Sequence, residues 1–326
     1  MKTLYYLGKP EDGYGWGVAN TNLVAALSKL CNVVVTTPRD SFDAPVFSPI
    51  ASADLKPLAK WKAPRSIGYC FTEWPIPHDA PRNARAFDVV FAGSNWNAER
   101  LVEAGVKRVK VLQQGIDFER FAPTPMPEKG FVMFSGGKYE FRKGQDYVVA
   151  ACRLFMKYRP DTVLITSWTN PWPESMKSME RSWLINPAAP FEGLPADRVV
   201  HLKAMGNAEM PKVYAHAHIG IFPNRCEAGT NLVMSEFMAT GRPVIATMAH
   251  GHRDVLDGVG PYHLRSGSVD PAGWFNPNVC DILWALEHAY QNRAELAARG
   301  EQCRQLISPF TWSRCAEKIY SAAFGE

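Results

Sequence analysis

With 326 residues, 46% of them hydrophobic, the chain is longer than one ordinary domain and suits two domains of about 150 residues, each with a large core. A formal net charge of only +4 excludes the basic excess of a dedicated nucleic-acid binder, and no apolar run approaches the ~18 residues of a membrane span. Seven cysteines lie scattered in apolar runs without a Cys-x-x-Cys pair, and the N-terminus enters a strand with no signal-like segment, so a reducing, cytoplasmic protein is expected, soluble or at most peripheral at the inner face of the membrane.

In chain order, Thr3 to Leu7 reads as a strand, followed by a loop with Gly13, Gly15 and Gly17. A helix with Val18, Leu23, Ala26, Leu27 and Leu30 at helical spacing comes next, then a strand Val33 to Thr36. A dinucleotide site wants Gly-x-Gly-x-x-Gly directly after the first strand and an acid at the end of the second. Here the glycines come late in a Gly-x-Gly-x-Gly spacing and the second strand ends Thr36-Thr37, so no nicotinamide cofactor is expected. The glycine loop reads either as an ordinary surface turn or as flexible backbone lying close to a sugar or diphosphate.

Residues Ala53 to Arg65 carry Lys56, Lys60, Trp61, Lys62 and Arg65 with two prolines that prevent a long amphipathic helix. This stretch reads as a solvated face, with contact to anionic lipid or an anionic acceptor as its functional alternative. A strand Ser66 to Phe71 delivers Thr72-Glu73-Trp74-Pro75, which puts Glu73 at the carboxyl end of a parallel strand, where α/β folds place function. Strand Asp88 to Ala92 precedes Ser94, a good N-cap for a helix Asn95 to Ala104 closed by Gly105, and strand Val109 to Leu112 follows. Pro123, Pro125 and Pro127 make a stiff connector and place a domain boundary after Thr124.

The second half opens with a strand Phe131 to Phe134, a turn Ser135-Gly136-Gly137, the cations Lys138, Arg142 and Lys143, and a helix running to about Tyr158. Arg grips a diphosphate bidentately and Lys acts on it as a point charge. After a strand Thr162 to Ser167, the segment Trp168 to Ala196, rich in Trp, Pro and Met, is long for a connection and is expected to cover a cleft. Strand Val199 to Leu202 and a helix Ala208 to Ala217 lead to the strand Ile219 to Phe222, a loop with Glu227, a helix from about Thr230 to Thr240 stopped by Gly241 and Pro243, and a strand Val244 to Thr247. The N–H groups of Gly229, Thr230, Asn231 and Leu232 would lack intrahelical partners and suit an anion. Glu236, farther along that helix, can accept from the vicinal hydroxyls of a ribose, and Glu227 can face a sugar. His250 and His252 do not have the spacing of a closed zinc set and have no adjacent cysteine, so no metal site is expected there. A helix Asp281 to Ala298 and a last helix ending at Phe324 complete the chain.

These residues resemble the retaining glycosyltransferases of the GT-B fold, the family 4 type (glycosyl transferases group 1). Glu227 to Val233 is similar to the Glu-Gly-Gly-Thr-Asn-Leu-Val of a subset of that family, and Glu227 with Glu236 resembles its Glu-loop-Glu signature. The spacing is one residue longer than usual, with Ala228 at the expected place, and Glu227 is taken as the first Glu. Lys143 matches the family's diphosphate Lys before Gly144; Lys138 stands near the position of its Arg, at a spacing shorter by one, with Arg142 as a competitor for that role. Gly115-Ile116-Asp117 and Phe121 resemble the end of the family's first domain. Thr72-Glu73-Trp74 resembles its acceptor side, although many members have a histidine there and this chain has none.

The resemblance implies two Rossmann-like α/β/α domains facing across a cleft: residues 1–124 on the acceptor side with the C-terminal helix 309–326 docking back, and residues 125–308 binding the donor. It implies transfer of a sugar from a nucleotide-diphosphate sugar to a hydroxyl on a glycan, lipid carrier or small molecule. Glu227, Lys143 and Glu73 would serve catalysis. Gly15, Gly17, Gly137, Lys138, Arg142, Lys143, Gly229, Thr230, Asn231, Leu232 and Glu236 would hold the donor. No Asp-x-Asp pair occurs, so no metal cofactor is expected, and cations with a helix N-terminus would take the leaving group. A sugar-nucleotide epimerase or phosphorylase of the same fold, and a non-catalytic sugar-nucleotide-binding relative, are the alternatives.

Overall fold

The computed structural model of the protein describes residues 1–325. They form two α/β units, each built on a six-stranded sheet whose paired strands all run parallel. Among the described residues no helix is long and apolar enough to cross a membrane.

The first unit comprises Met1–Asp117, Ala228–Leu232 and the chain from Phe310 onward. Its strands are β1 (Thr3–Tyr6), β2 (Asn32–Val35), β3 (Val46–Ile50), β4 (Ser66–Cys70), β5 (Val89–Ala92) and β6 (Val109–Val111), in the order β2-β1-β3-β4-β5-β6. Every residue of β4 and β5 is buried, as expected for central parallel strands covered on both faces. The sequence reading has no counterpart of β3, whose Pro49 is unusual in an inner strand. The pairing explains the tolerance. Val46 N donates to Arg65 O beside β4, while Phe47 O accepts from Leu7 N after β1. The alternation therefore turns Pro49 toward β1, whose pairing has already ended at Tyr6 and Phe47.

Gly15 and Gly17 are not in the loop where they were expected: they form the first turn of the helix Gly15–Leu27. The preceding residues fold back over that turn. Glu11 N donates to Gly17 O at 3.3 Å, Thr21 Oγ1 donates to Glu11 O at 3.0 Å, and a Cβ on Gly17 would lie 2.8 Å from that of Glu11. Gly17 thus serves close packing. Trp61 also departs from the solvated face expected of Ala53 to Arg65. Its ring packs edge-on against Phe87 and its Nε1 donates to Ser66 Oγ, while Lys56, Lys60 and Lys62 remain exposed. The last helix, Trp312–Phe324, is N-capped by Thr311, packs on Gly15–Leu27, and sends Cys315 Sγ to Gln113 O at 3.0 Å.

The second unit comprises Phe118–Glu227 and Val233–Pro309, so it begins before the expected boundary at Thr124. The reason is packing: Phe121 lies against Tyr214, and the buried Arg242 donates to Thr124 O and Pro125 O, which ties the proline connector into this unit. Its strands are β7 (Phe131–Lys138), β8 (Thr162–Thr169), β9 (Val199–His201), β10 (Ile219–Phe222), β11 (Val244–Thr247) and β12 (Tyr262–Leu264), in the order β12-β11-β10-β7-β8-β9. This is a doubly wound sheet whose strand order reverses between β7 and β10, and the crevice at the carboxyl ends of those two strands is where such folds bind ligands. An antiparallel hairpin of β13 (Gly267–Val269) and β14 (Phe275–Pro277) follows.

Three expectations in this unit are corrected. The glycine turn at Ser135-Gly136-Gly137 is strand: β7 stays paired with β8 through Gly136 with Ser167, Gly137 with Trp168 and Lys138 with Thr169. Gly136 is needed there because a Cβ would meet the Phe134 ring at 2.6 Å. The single helix Asp281 to Ala298 is two, Val279–Gln291 and Leu296–Ile307, separated at Asn292, whose side chain bonds back to His288 O. The helix Ala208 to Ala217 shrinks to Met210–Tyr214, with Pro211 in its first turn and a 3-10 turn Asn207–Glu209 before it.

Candidate functional site

Two loops leave the carboxyl ends of β7 and β10, the pair that flanks the reversal of strand order. After β7 the chain makes a 3-10 turn, Phe141–Lys143, and enters the helix Gln145–Tyr158 through Gly144. Gly144 has φ +72°, and a Cβ on it would stand 2.1 Å from Pro223 O, so glycine alone lets the two loops approach. They are stitched by backbone: Arg225 N donates to Arg142 O at 2.7 Å, and Arg142 Nη1 donates to Cys226 O at 3.3 Å.

That stitching gathers charge. Oε2 of the buried Glu227 accepts from Lys143 Nζ at 2.5 Å, Asn224 Nδ2 at 2.8 Å and Arg142 Nη1 at 3.3 Å. The buried Glu140 pairs through Oε1 with Arg142 Nε at 2.7 Å and through Oε2 with Lys138 Nζ at 3.2 Å; Lys138 also stands over the Trp172 ring. Three cations therefore share two carboxylates, which leaves an excess of one positive charge at half-buried positions, where an added anion is attracted more strongly than in water. Burial by itself would raise the Glu227 pKa, but Lys143, Arg142 and His252 outweigh it and hold the carboxyl at about 2. His252 is buried, with Nδ1 3.0 Å from Thr247 O, and burial lowers its pKa to about 4 against the raising effect of Glu227, so its ring is neutral at neutral pH. His250 Nε2 lies 2.9 Å from Gly273 O. Gly251 N, between the two histidines, donates to Glu227 O and fixes the backbone under the carboxylate.

Glu236 lies on the helix Leu232–Ala239. Its Oε1 accepts from Asn207 Nδ2 at 2.8 Å, and Asn207 Oδ1 accepts from Arg120 Nη1 at 2.7 Å. The helix starts two residues later than expected because Asn231 adopts φ +60°, outside the helical region. The amides of Gly229, Thr230 and Asn231 consequently belong to the loop ahead of the helix, not to its first turn. That loop counts with the first unit. Ser94 Oγ donates to Ala228 O at 2.7 Å, and a Cβ on Gly229 would meet the Phe71 ring at 2.8 Å.

Glu73 also lies in the first unit, half-buried just past β4. Arg100 braces its turn, donating to Thr72 O and Trp74 O at 2.9 Å each. Burial first, and then the Glu73 charge, push the Cys70 thiol up to about 12. Of the residues singled out in the sequence, the second unit brings together Lys138, Arg142, Lys143 and Glu227 within one network of ion pairs. Gly137, with φ +120°, is the last residue but one of β7, beside them. Glu236 is tied to a separate network through Asn207. Gly15, Gly17 and Glu73 belong to the first unit.

Several members of these networks carried no role in the sequence reading. They are Glu140, Asn224, Asn207, Arg120, His252 and, above all, Arg225, which pairs with the buried Asp146. Arg225 stands two residues before Glu227, and its charge inside an otherwise buried stretch is a signal that was available.

The family described as Glycosyl transferases group 1 matches residues 129–274, which contain β7, β10 and both loops. No curated protein matches the chain by sequence. By structure, the chain is similar to sucrose-phosphate synthase from Thermosynechococcus elongatus, with a TM-score of 0.76 at 14% identity over 98% of each chain. It is similar to HepE of Anabaena in complex with UDP-glucose, with a TM-score of 0.71 at 13% identity over 100% of each chain. It is also similar to a trehalose-6-phosphate synthase studied for glycosyl transfer with retention, with a TM-score of 0.68 at 14% identity over 95% of this chain and 78% of that one. The segment that holds the charged network is thus similar to the Glycosyl transferases group 1 family, and the GT-B fold is shared along nearly the whole length of the chain.

Proposed function

We propose that the protein is a family 4 type enzyme that transfers a sugar from a nucleotide-diphosphate donor to a hydroxyl acceptor with retention of the anomeric configuration, and that it does so without a metal ion. One observation carries the reading: Lys143 and Arg142 converge on Glu227 in the crevice where the strand order reverses, backed by Lys138 on Glu140. Breaking the bond between the anomeric carbon and the diphosphate builds negative charge on the leaving oxygen and positive charge on the sugar ring. A diphosphate outcompetes a single carboxylate for Arg142 and Lys143, because it carries more charge and more acceptor oxygens. Once the cations turn to the diphosphate, Glu227 is released to hold the sugar hydroxyls and face the ring. In this reading the loop amides of Gly229 to Asn231 also serve the leaving group, Glu236 the ribose, and Glu73 the acceptor. The diphosphate oxygen itself takes the acceptor's proton.

Two similar structures support the donor and the stereochemistry by what is said of them, one bound to UDP-glucose and one studied for transfer with retention. The acceptor is a glycan, a lipid carrier or a small molecule. The reaction is placed in the cytoplasm, a reading supported by seven cysteines without a disulfide among the described residues; exposed Lys56, Lys60 and Lys62 support peripheral contact with an anionic membrane face. The test is proton NMR of the product formed from an α-linked donor, with and without EDTA. An α-linked product at an unchanged rate in EDTA is expected. A β-linked product overturns retention, and loss of activity in EDTA overturns metal independence.

A further inference from the structure

Behind the cations that the proposed reading assigns to the diphosphate lies a second layer of charge, more deeply buried than the first. Arg225 and Asp146 are 2% and 0% exposed, and they pair bidentately: Nη1 to Oδ1 at 2.8 Å and Nη2 to Oδ2 at 2.6 Å. Arg225 Nη1 also donates to Phe141 O at 2.7 Å, its Nε donates to Asn276 Oδ1 at 3.0 Å, and its guanidinium lies 3.6 Å from the centre of the Phe141 ring and 4.3 Å from that of Tyr147. Through its own backbone Arg225 N donates to Arg142 O, and Arg225 O accepts from Phe275 N. Asp146 Oδ2 accepts from Ser182 Oγ at 2.6 Å, and Phe141 N donates to Ser178 Oγ at 3.0 Å, so the Trp-rich excursion after β8 braces the same turn from its other side.

The geometry points to Arg225 and Asp146 as a positioning pair for the donor. The planar fork of one arginine joins the turn Phe141–Lys143, the helix behind it, the hairpin β13–β14 and the loop that ends in Glu227. It thereby sets where Arg142 and Lys143 stand relative to Glu227. A pair this dry is weak evidence for stability, because desolvation offsets much of the attraction, and an apolar pair of similar volume often folds as well. Placement of the neighbouring cations is the property that an apolar pair cannot restore. Arg225 touches no reacting atom in this role, which rests on the reading of Arg142 and Lys143 as diphosphate ligands.

The experiment compares the wild type with Arg225→Lys, which keeps the charge and loses the fork, and with the double variant Arg225→Met and Asp146→Leu. Each is titrated calorimetrically with UDP, ADP, GDP, CDP and TDP and with the matching nucleosides, and each is melted. Misplacing the cations by about 1 Å is expected to weaken binding of the preferred diphosphate by roughly ten- to a hundred-fold. Nucleoside binding stays unchanged, and the double variant melts near the wild type while remaining weak for the diphosphate. A double variant that recovers both melting temperature and diphosphate affinity overturns the positioning role, as does an Arg225→Lys protein that binds the diphosphate as tightly as the wild type. A wild type that binds none of the five diphosphates overturns the donor reading, and the positioning role with it.

Discussion

Replacing Glu227 with Gln removes the charge on which Lys143 and Arg142 converge while keeping nearly the same shape. The carboxyl has an ordinary value of 4.5 and is held at about 2 in the folded protein, so its ionised form stabilises the fold by roughly 3 kcal/mol at neutral pH. A depressed carboxylate contributes fully above about pH 4.5, and its contribution is lost as the pH falls toward 2. The neutral amide has no such contribution at any pH. Wild type and variant are therefore expected to differ by roughly 6–12 °C in melting temperature at pH 7, at about 2–4 °C per kcal/mol for a domain of this size, and to converge near pH 2. His252, whose buried ring has its pKa lowered from 6.5 to about 4, destabilises both proteins as the pH falls through that range, and more so the variant, which lacks the Glu227 charge that raises the ring's pKa; the closing of the gap below pH 4 therefore isolates Glu227. Calorimetric melting from pH 2 to 7 makes the measurement. A gap that stays flat or widens below pH 4 refutes the assignment of the ion pairs. In kinetics the same variant is expected to lose most of its kcat while binding free nucleoside diphosphate at least as tightly, because the competing carboxylate charge is gone.

Lys143→Ala is expected to weaken nucleoside diphosphate binding by roughly ten- to a hundred-fold, the ~1.5–3 kcal/mol of a hydrogen bond to a charged group, with nucleoside binding unchanged. Equal losses for both in calorimetric titration would assign Lys143 to folding. Glu236→Gln is expected to raise the donor KM with little change in kcat, since it disturbs the contact with Asn207 and lies outside the network around Glu227; a fall in kcat at constant KM contradicts that division. Gly144→Ala combines a left-handed backbone with a Cβ 2.1 Å from Pro223 O, so a loss of more than about 2 kcal/mol is expected in denaturant melts. An unchanged midpoint there would mean that the two loops do not meet as described.

The elements most legible in the sequence were those whose local pattern and tertiary setting agree. β10 and β11 have the anticipated bounds because each is a short, uninterrupted apolar run closed by a turn residue, proline after Phe222 and the Gly241–Pro243 break before Val244. β3 had no counterpart in the reading, and the tolerance of its Pro49 depends on where the β1 ladder ends, a fact of pairing and not of composition. Gly136 and Gly137 were read as a turn because glycine usually marks one; here β8 continues as far as β7 and holds them in the sheet. At the site, Lys143, Arg142 and Glu227 were singled out by residue type together with the resemblance to the family's motifs. Their mutual contact was not, since they are separated by 84 and 85 positions and no local periodicity encodes it. The same holds for Arg225 and Asp146, 79 positions apart. Asn231 delayed the helix through a left-handed backbone that Asn tolerates better than most residues, which composition alone does not announce.

The central claim is that the cations gathered at β7 and β10 receive the diphosphate of a sugar donor. Its most direct measurement is release of nucleoside diphosphate from a panel of UDP-, ADP-, GDP-, CDP- and TDP-sugars, by wild type and Lys143→Ala side by side, with mono- and oligosaccharides and polyprenyl phosphates as acceptors. The account requires release from at least one donor by the wild type and a loss of kcat/KM of at least about ten-fold in the variant. Release from no donor, or equal release by the two proteins, contradicts it.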